Sequence, residues 1–146
     1  MYCTKKITDD MSWVGGSDRR LALFENVFPI PKGISYNSYL IEDEKTVLLD
    51  TVDKAISTLF FENVEHVLKG KKLDYLVVNH MEPDHSGWIE KFKDINNKFE
   101  VITTKKGKEI IEAFFEDEIN VQLVEEGYQL DLGNEKILSF HPVPNV

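Results

Sequence analysis

The chain of 146 residues carries 26 acidic and 17 basic side chains, a net charge of -9, with 42% apolar and 29% charged residues. That length supports one globular domain with a core of its own, and the acidic balance excludes a nucleic-acid backbone or an anionic membrane surface as a natural partner. Cys3 is the only cysteine, so no internal disulfide can form and a reducing, cytoplasmic setting fits; no signal-peptide core follows Lys5-Lys6, and no apolar run approaches the roughly eighteen residues of a membrane span.

In chain order, Ile7 to Val14 reads as a strand ending in the turn cluster Gly15-Gly16-Ser17-Asp18, with Arg20 to Phe24 as the returning strand of a hairpin. Phe28-Pro29-Ile30-Pro31-Lys32-Gly33 reads as a loop, because two prolines remove ladder donors. Ser35 to Glu42 and Lys45 to Asp50 make a second hairpin joined at Asp43-Glu44, and the four strands begin an antiparallel sheet. Asp50-Thr51-Val52-Asp53 then offers helix N-caps. Ala55, Ile56, Leu59, Phe60, Val64, Val67 and Leu68 recur at helical spacing up to Gly70, with His66 on the surface near the helix end.

Asp74 to Asn79 is the most strand-like run. Trp88 to Phe92 reads as a short helix whose Trp88 and Phe92 pack as a pair beneath the preceding loop. Val101-Ile102-Thr103 is another strand, and Thr104 caps a helix from Lys105 to Phe115 with Ile110, Ile111, Phe114 and Phe115 facing inward. Lys105, Lys106 and Lys108 at its start read as a solvated basic patch. Val121 to Val124 is a strand, and Gly127 to Leu132 with Lys136 to Phe140 form a hairpin across Gly133-Asn134. No repeat or low-complexity linker divides the chain, so a single domain is expected.

One loop concentrates chemistry. Asn79-His80-Met81-Glu82-Pro83-Asp84-His85-Ser86-Gly87 places four potential metal ligands, His80, Glu82, Asp84 and His85, within six positions directly after the buried strand. The carboxyl end of such a strand is where open α/β sheets carry their sites. Pro83 holds Glu82 extended, and alternate residues of an extended segment share a side, so His80 and Glu82 can converge on one point. Asp84 and His85 join them only if the chain turns after Pro83, and one natural solution is a pair of ions with two ligands each. Two imidazoles and two carboxylates without a thiolate suit iron, zinc or manganese. The carboxylate at Glu82 favours iron, whose charge rises on oxidation, although zinc also accepts carboxylates.

The pattern His80-x-Glu82-x-Asp84-His85 resembles the metal-binding signature of flavodiiron proteins in the metallo-β-lactamase superfamily. Hydrolases of that superfamily carry a histidine where this chain has Glu82. Gly33-Ile34-Ser35-Tyr36-Asn37-Ser38-Tyr39-Leu40-Ile41 and Val47-Leu48-Leu49-Asp50-Thr51 look like the same family. The resemblance implies an α/β (α+β) fold: the N-terminal half of an αββα sandwich, a mixed sheet with helices on its outer face.

It also implies that residues 1–146 form a metallo-β-lactamase-like domain truncated before its third ligand histidine, expected just beyond Val146. A bridging Asp and a final His would lie further on, and the FMN-binding flavodoxin-like domain is absent. His141 aligns with a non-ligand position. For the parent protein the resemblance implies an enzyme reducing O2 to water or NO to N2O at a non-haem centre of two irons. His80 and Glu82 would bind one iron, Asp84 and His85 the other. FMN from the partner subunit of a head-to-tail dimer would re-reduce them, fed by a rubredoxin-like or flavin reductase donor. Alternatives are a zinc hydrolase of the superfamily and a non-catalytic remnant. The 146-residue chain alone is expected to be inactive and, with its inner sheet face exposed, to self-associate or to need its missing half.

Overall fold

The computed structural model describes residues 2–24, 26–95, 98–116, 118–134 and 136–143. The expected proline-paced tail at Pro144-Asn145-Val146 lies outside them. Strands and helices follow in the order β1 (Lys5–Lys6), β2 (Met11–Trp13), β3 (Gly16–Asp18), β4 (Leu23–Phe24), β5 (Phe28–Pro29), β6 (Ile34–Tyr36), β7 (Tyr39–Glu42) and β8 (Thr46–Leu49). Then come a 3-10 turn (Lys54–Ile56), α1 (Ser57–Leu68), β9 (Tyr75–Val77), α2 (Pro83–Ser86), α3 (Ile89–Ile95), β10 (Glu100–Thr103), α4 (Lys105–Phe114), β11 (Val121–Leu123), β12 (Gln129–Asp131) and β13 (Ile137–Ser139).

Seven strands form one mixed sheet in the order β1-β2-β7-β8-β9-β10-β11. The pairs from β1 to β8 are antiparallel and those from β8 to β11 are parallel. Connection length explains the division: β7 and β8 are joined by a tight turn, whereas α1 and α4 carry the chain back across the sheet before β9 and β11.

The period of two along each strand sorts the apolar residues onto two faces. Register lines up Leu40, Leu48, Leu76 and Val101 across the sheet, all fully buried. This row packs with Phe60, Val64 and Val67 of α1, Ile89 and Phe92 of α3 and Ile111 of α4. Their neighbours Ile41, Val47, Val77 and Ile102 face the other way and are also buried, against Leu130, Leu132, Tyr128, Leu138 and Phe140 of the β12–β13 segment. The inner face is therefore covered by the chain's own last hairpin and not left open, contrary to expectation. That hairpin forms across Gly133-Asn134 as expected, both with positive φ.

Several expectations change in the N-terminal part and near α3 and α4. The stretch 7–10 bends, and the strand begins only at Met11. Gly16–Asp18, expected as a turn, is a strand pairing with β6, and Ser35 to Glu42 is split because Tyr36 pairs with Gly16 while Tyr39 pairs with Trp13. Pro29 does sit in a pair, opposite Leu23, in a two-residue ladder at the protein's edge where a missing donor costs little. Trp88 and Phe92 do not stack on each other; Phe61 of α1 meets both, at ring-centroid distances of 5.6 and 5.2 Å. On α4, Thr104 caps Gly107 as expected and Ile111 is buried, but Phe114 is 81% exposed, while Phe115 beside it packs against the core.

Asp18 is buried at the end of β3 and takes both a backbone and a two-pronged side-chain hydrogen bond from Arg20, whose guanidinium also donates to Ala55 O at 3.0 Å. These bonds, the side-chain ones above all, hold the Asp18 carboxyl below its ordinary value near 3.8. A depressed folded pKa contributes stability that is present above the ordinary value and lost as pH falls through the folded one. Arg20→Ala should therefore shift acid unfolding to higher pH, measured by circular dichroism along a pH titration. In the core, Phe60→Ala should cost about 3–5 kcal/mol in urea unfolding, because the sheet beneath Phe60 cannot close over the cavity.

Candidate metal centre

β9 is flanked by parallel neighbours on both sides, and its carboxyl end opens into the ligand loop. Val78 N still donates to Ile102 O, and Thr103 Oγ1 donates to Val78 O at 3.1 Å, so the loop leaves from a fixed point. Glu82 is extended (φ -65°, ψ 151°) and Pro83 opens α2, the restriction that the sequence imposes. The turn needed after Pro83 is this single helical turn. His85 N and Ser86 N donate to Glu82 O, and the buried Ser86 hydroxyl donates to Met81 O or Glu82 O, each at 3.1 Å.

The turn brings the four candidate ligands together in two pairs. His80 Nε2 lies 3.1 Å from Glu82 Oε1, and His85 Nε2 lies 3.5 Å from Asp84 Oδ2. The two imidazole rings stand nearly perpendicular with centroids 5.5 Å apart. The pairs differ in environment: the His80 and Glu82 side chains are 41% and 50% exposed, whereas Asp84 is 13% exposed and its Oδ1 is buried with no hydrogen-bond partner among the described residues. No group of three or more His, Cys, Asp or Glu among the described residues gathers closely enough to hold one ion.

In the sequence Asp50 ends a strand, lies in a family-like stretch and offers a possible helix cap. The structure gives the cap to Asp53, which accepts from Ala55 N, and gives Asp50 another task. Its Oδ2 lies 3.1 Å from His85 Nδ1, its Oδ1 accepts from Asn79 N at 2.7 Å, and its carbonyl accepts from the buried Ser38 hydroxyl. Asp50 has φ of 58°, the left-handed region that Asp tolerates better than most residues, and there Thr51 N reaches His85 O at 2.9 Å. The Asp50 hydrogen bond raises the His85 pKa against the opposing effect of burial, and the charges of Asp50, Asp84 and Glu82 add to it. The signal available beforehand was position: an acid at the carboxyl end of β8, beside the ligand loop of β9.

This donor set fits a metal. One histidine and one carboxylate stand together at each of two points, His85 is oriented through its other nitrogen by a carboxylate in the manner of metal-bound histidines, and Asp84 keeps a buried oxygen free. It is also a partial shell, two donors for each ion.

Comparison with known proteins locates the fold. Residues 34–146 match the family model described as ODP family beta lactamase. The chain belongs to that family. It is 34% identical over 140 residues to the flavo-diiron protein FprA2 of Clostridium acetobutylicum, covering 95% of this chain and 35% of that one. It is 37% identical over 143 residues to the anaerobic nitric oxide reductase flavorubredoxin of Aliivibrio fischeri, covering 97% and 29%. Among solved structures, rubredoxin oxygen:oxidoreductase from Desulfovibrio gigas superposes with a TM-score of 0.87 at 32% identity over 95% of this chain and 35% of that one. The flavodiiron protein of Giardia intestinalis gives 0.86 at 26% identity, over 97% and 34%. The ODP-family chain thus has the mixed sheet and helices of the metallo-β-lactamase-like fold, and it spans about a third of the length of the relatives it matches. No helix among the described residues is long and apolar enough to cross a membrane.

Removing the Asp50 carboxylate leaves Asn79 N and His85 Nδ1 without their acceptor. Asp50→Ala should cost about 1–3 kcal/mol in thermal unfolding and should lower the His85 pKa, followed by imidazole proton shifts in NMR.

Proposed function

We propose that this chain is the first part of the catalytic domain of a flavodiiron oxidoreductase that reduces O2 to water, NO to N2O, or both. In this reading His80 and Glu82 hold one iron, and Asp84 and His85 hold the other. The observation that carries it is the pairing of one histidine with one carboxylate, twice, on a single turn at the end of β9. Membership of the ODP family and the flavodiiron relatives support the same reading.

When bound, the iron pair supplies electrons and open positions for a diatomic substrate. The protein's own part is positional and electrostatic. Asp50 occupies His85 Nδ1 and so directs Nε2 towards Asp84. Glu82 adds a negative charge where a neutral histidine would add none, which favours an ion that gains charge on oxidation. Pro83 and the Ser86 hydroxyl fix the turn that sets the two pairs side by side.

The remaining ligands, a histidine, a bridging Asp and a final His, would come from sequence following Val146. FMN would be carried by a flavodoxin-like domain and presented across a head-to-tail dimer, with a rubredoxin-like protein or a flavin reductase as electron donor.

The test is metal analysis after anaerobic loading with Fe(II) and dialysis. The 146-residue chain, with two donors per ion, should keep little iron and should not consume O2 or NO. A family-length protein containing it should keep an iron pair and consume one or both gases, and Glu82→Ala or His85→Ala should abolish consumption. A family-length protein that retains zinc alone and hydrolyses an ester or lactam would sink the reading.

A further inference from the structure

Between α1 and α3 lies a cavity of about 460 Å³ that no candidate metal ligand lines. Its apolar walls are Phe61, Val64 and Leu68 of α1, Phe92 of α3 and Leu73 just before β9. Leu73 precedes β9 whereas the ligand loop follows it, so that wall stands at the other end of the strand from the metal centre. Small-molecule sites have this size and make-up, largely apolar with a few placed polar groups.

The walls are held from outside. The Phe61 ring meets Phe60, Phe92 and Trp88 at centroid distances of 5.4, 5.2 and 5.6 Å, and Phe92 also meets Phe60 and Phe99. Rings packed on several sides keep their places, so the cavity is preformed. Its polar groups enter where α1 ends. Lys69 and Gly70 both take positive φ, 51° and 85°, and Lys71 N returns to Leu68 O at 2.9 Å. This turn puts Lys71 and Lys72 on the lining, and a Cβ on Gly70 would meet nothing within 4 Å, so the mouth is open there. Lys71 Nζ already reaches Glu42 Oε1 at 3.4 Å. The Lys72 ammonium has no ion pair or hydrogen bond among the described residues. Glu65 stands on the same lining with the opposite charge.

We propose that the α1–α3 cavity binds a medium-chain aliphatic carboxylate, its chain against Phe61, Val64, Leu68 and Phe92 and its head beside Lys72. The wall side chains offer carbon and no hydrogen-bonding group, so the polar atoms of a sugar or nucleotide would be buried there unpaired. Lys72 selects the anionic head, being the cation at the mouth that no internal partner neutralises. The site does not depend on the metal-centre reading. The two meet at one point: Phe61 contacts Trp88, whose Nε1 donates to Val52 O at 2.9 Å, so a guest seated on Phe61 changes the surroundings of Trp88.

Trp13→Phe leaves Trp88 as the only tryptophan. Titrating that chain with decanoate, below its micelle concentration, should shift the Trp88 emission and saturate at a single site in calorimetry. Each methylene added from hexanoate to decanoate should tighten binding about fourfold. Lys72→Glu should weaken decanoate binding about threefold, and Glu65→Gln should tighten it. Leu68→Trp, which fills the cavity, should abolish binding while circular dichroism stays unchanged; should that variant unfold, the chain-length series and the two charge variants decide. No saturable binding overturns the proposal, as does affinity that ignores chain length, decanoate affinity unchanged in both charge variants, or undiminished binding to a folded Leu68→Trp. Decyltrimethylammonium binding as tightly as decanoate also overturns it, because the head group would then have no role.

Discussion

One carboxylate ties the fold to its site. Asp50 ends β8 and reaches across to the next strand, taking the backbone of Asn79 and the ring of His85 into the same pair of oxygens. A ligand loop on a strand end is free to sway; this one is fastened at its first residue by Asn79 and again at its helical turn by His85 and Thr51. The fastening needs Asp50 in a backbone conformation that most side chains avoid, and the Ser38 hydroxyl and Val77 carbonyl hold it there. Where a structure keeps a strained residue, the surroundings over-determine it.

The rest of the architecture serves this point. The parallel strands β8, β9 and β10 bring three carboxyl ends to one edge, and only the first two carry the titratable cluster. Beneath them the sheet is closed on both faces, by α1, α3 and α4 on one side and by the last hairpin on the other. The Trp88 ring adds a third fixture: its Nε1 donates to Val52 O at 2.9 Å while Phe61 packs against it, so the segment just after the ligand turn is pinned to the segment just after Asp50. Rigid support under a site is what allows side chains to keep a geometry that a loop alone could not.

Much of this was legible residue by residue. The Gly133-Asn134 pair announced the final hairpin, Thr104 announced the start of α4, and the apolar runs within Lys45 to Asp50 and Asp74 to Asn79 announced the two central strands. The N-terminal part was less legible. Gly15-Gly16-Ser17-Asp18 has the composition of a turn, yet Gly16–Asp18 is a strand, because Tyr36 offers it a partner and glycine lets the two backbones close in. Phe114 carried the helical spacing of an inward residue, yet it lies in solvent, since spacing fixes a face and not whether anything covers it.

The sequence by itself determined the conformation of the candidate ligand loop. Pro83 dictates an extended Glu82, and four donors in six residues after an apolar strand leave few other arrangements, because these constraints are local and act through bonds and sterics. Only the tertiary structure decided that Asp50 orients His85, that Tyr36, Thr51 and Asp84 keep buried oxygens without partners among the described residues, and that the hairpin covers the inner face. Those relations join residues tens of positions apart, and their energies exist only once the sheet has brought the strand ends side by side.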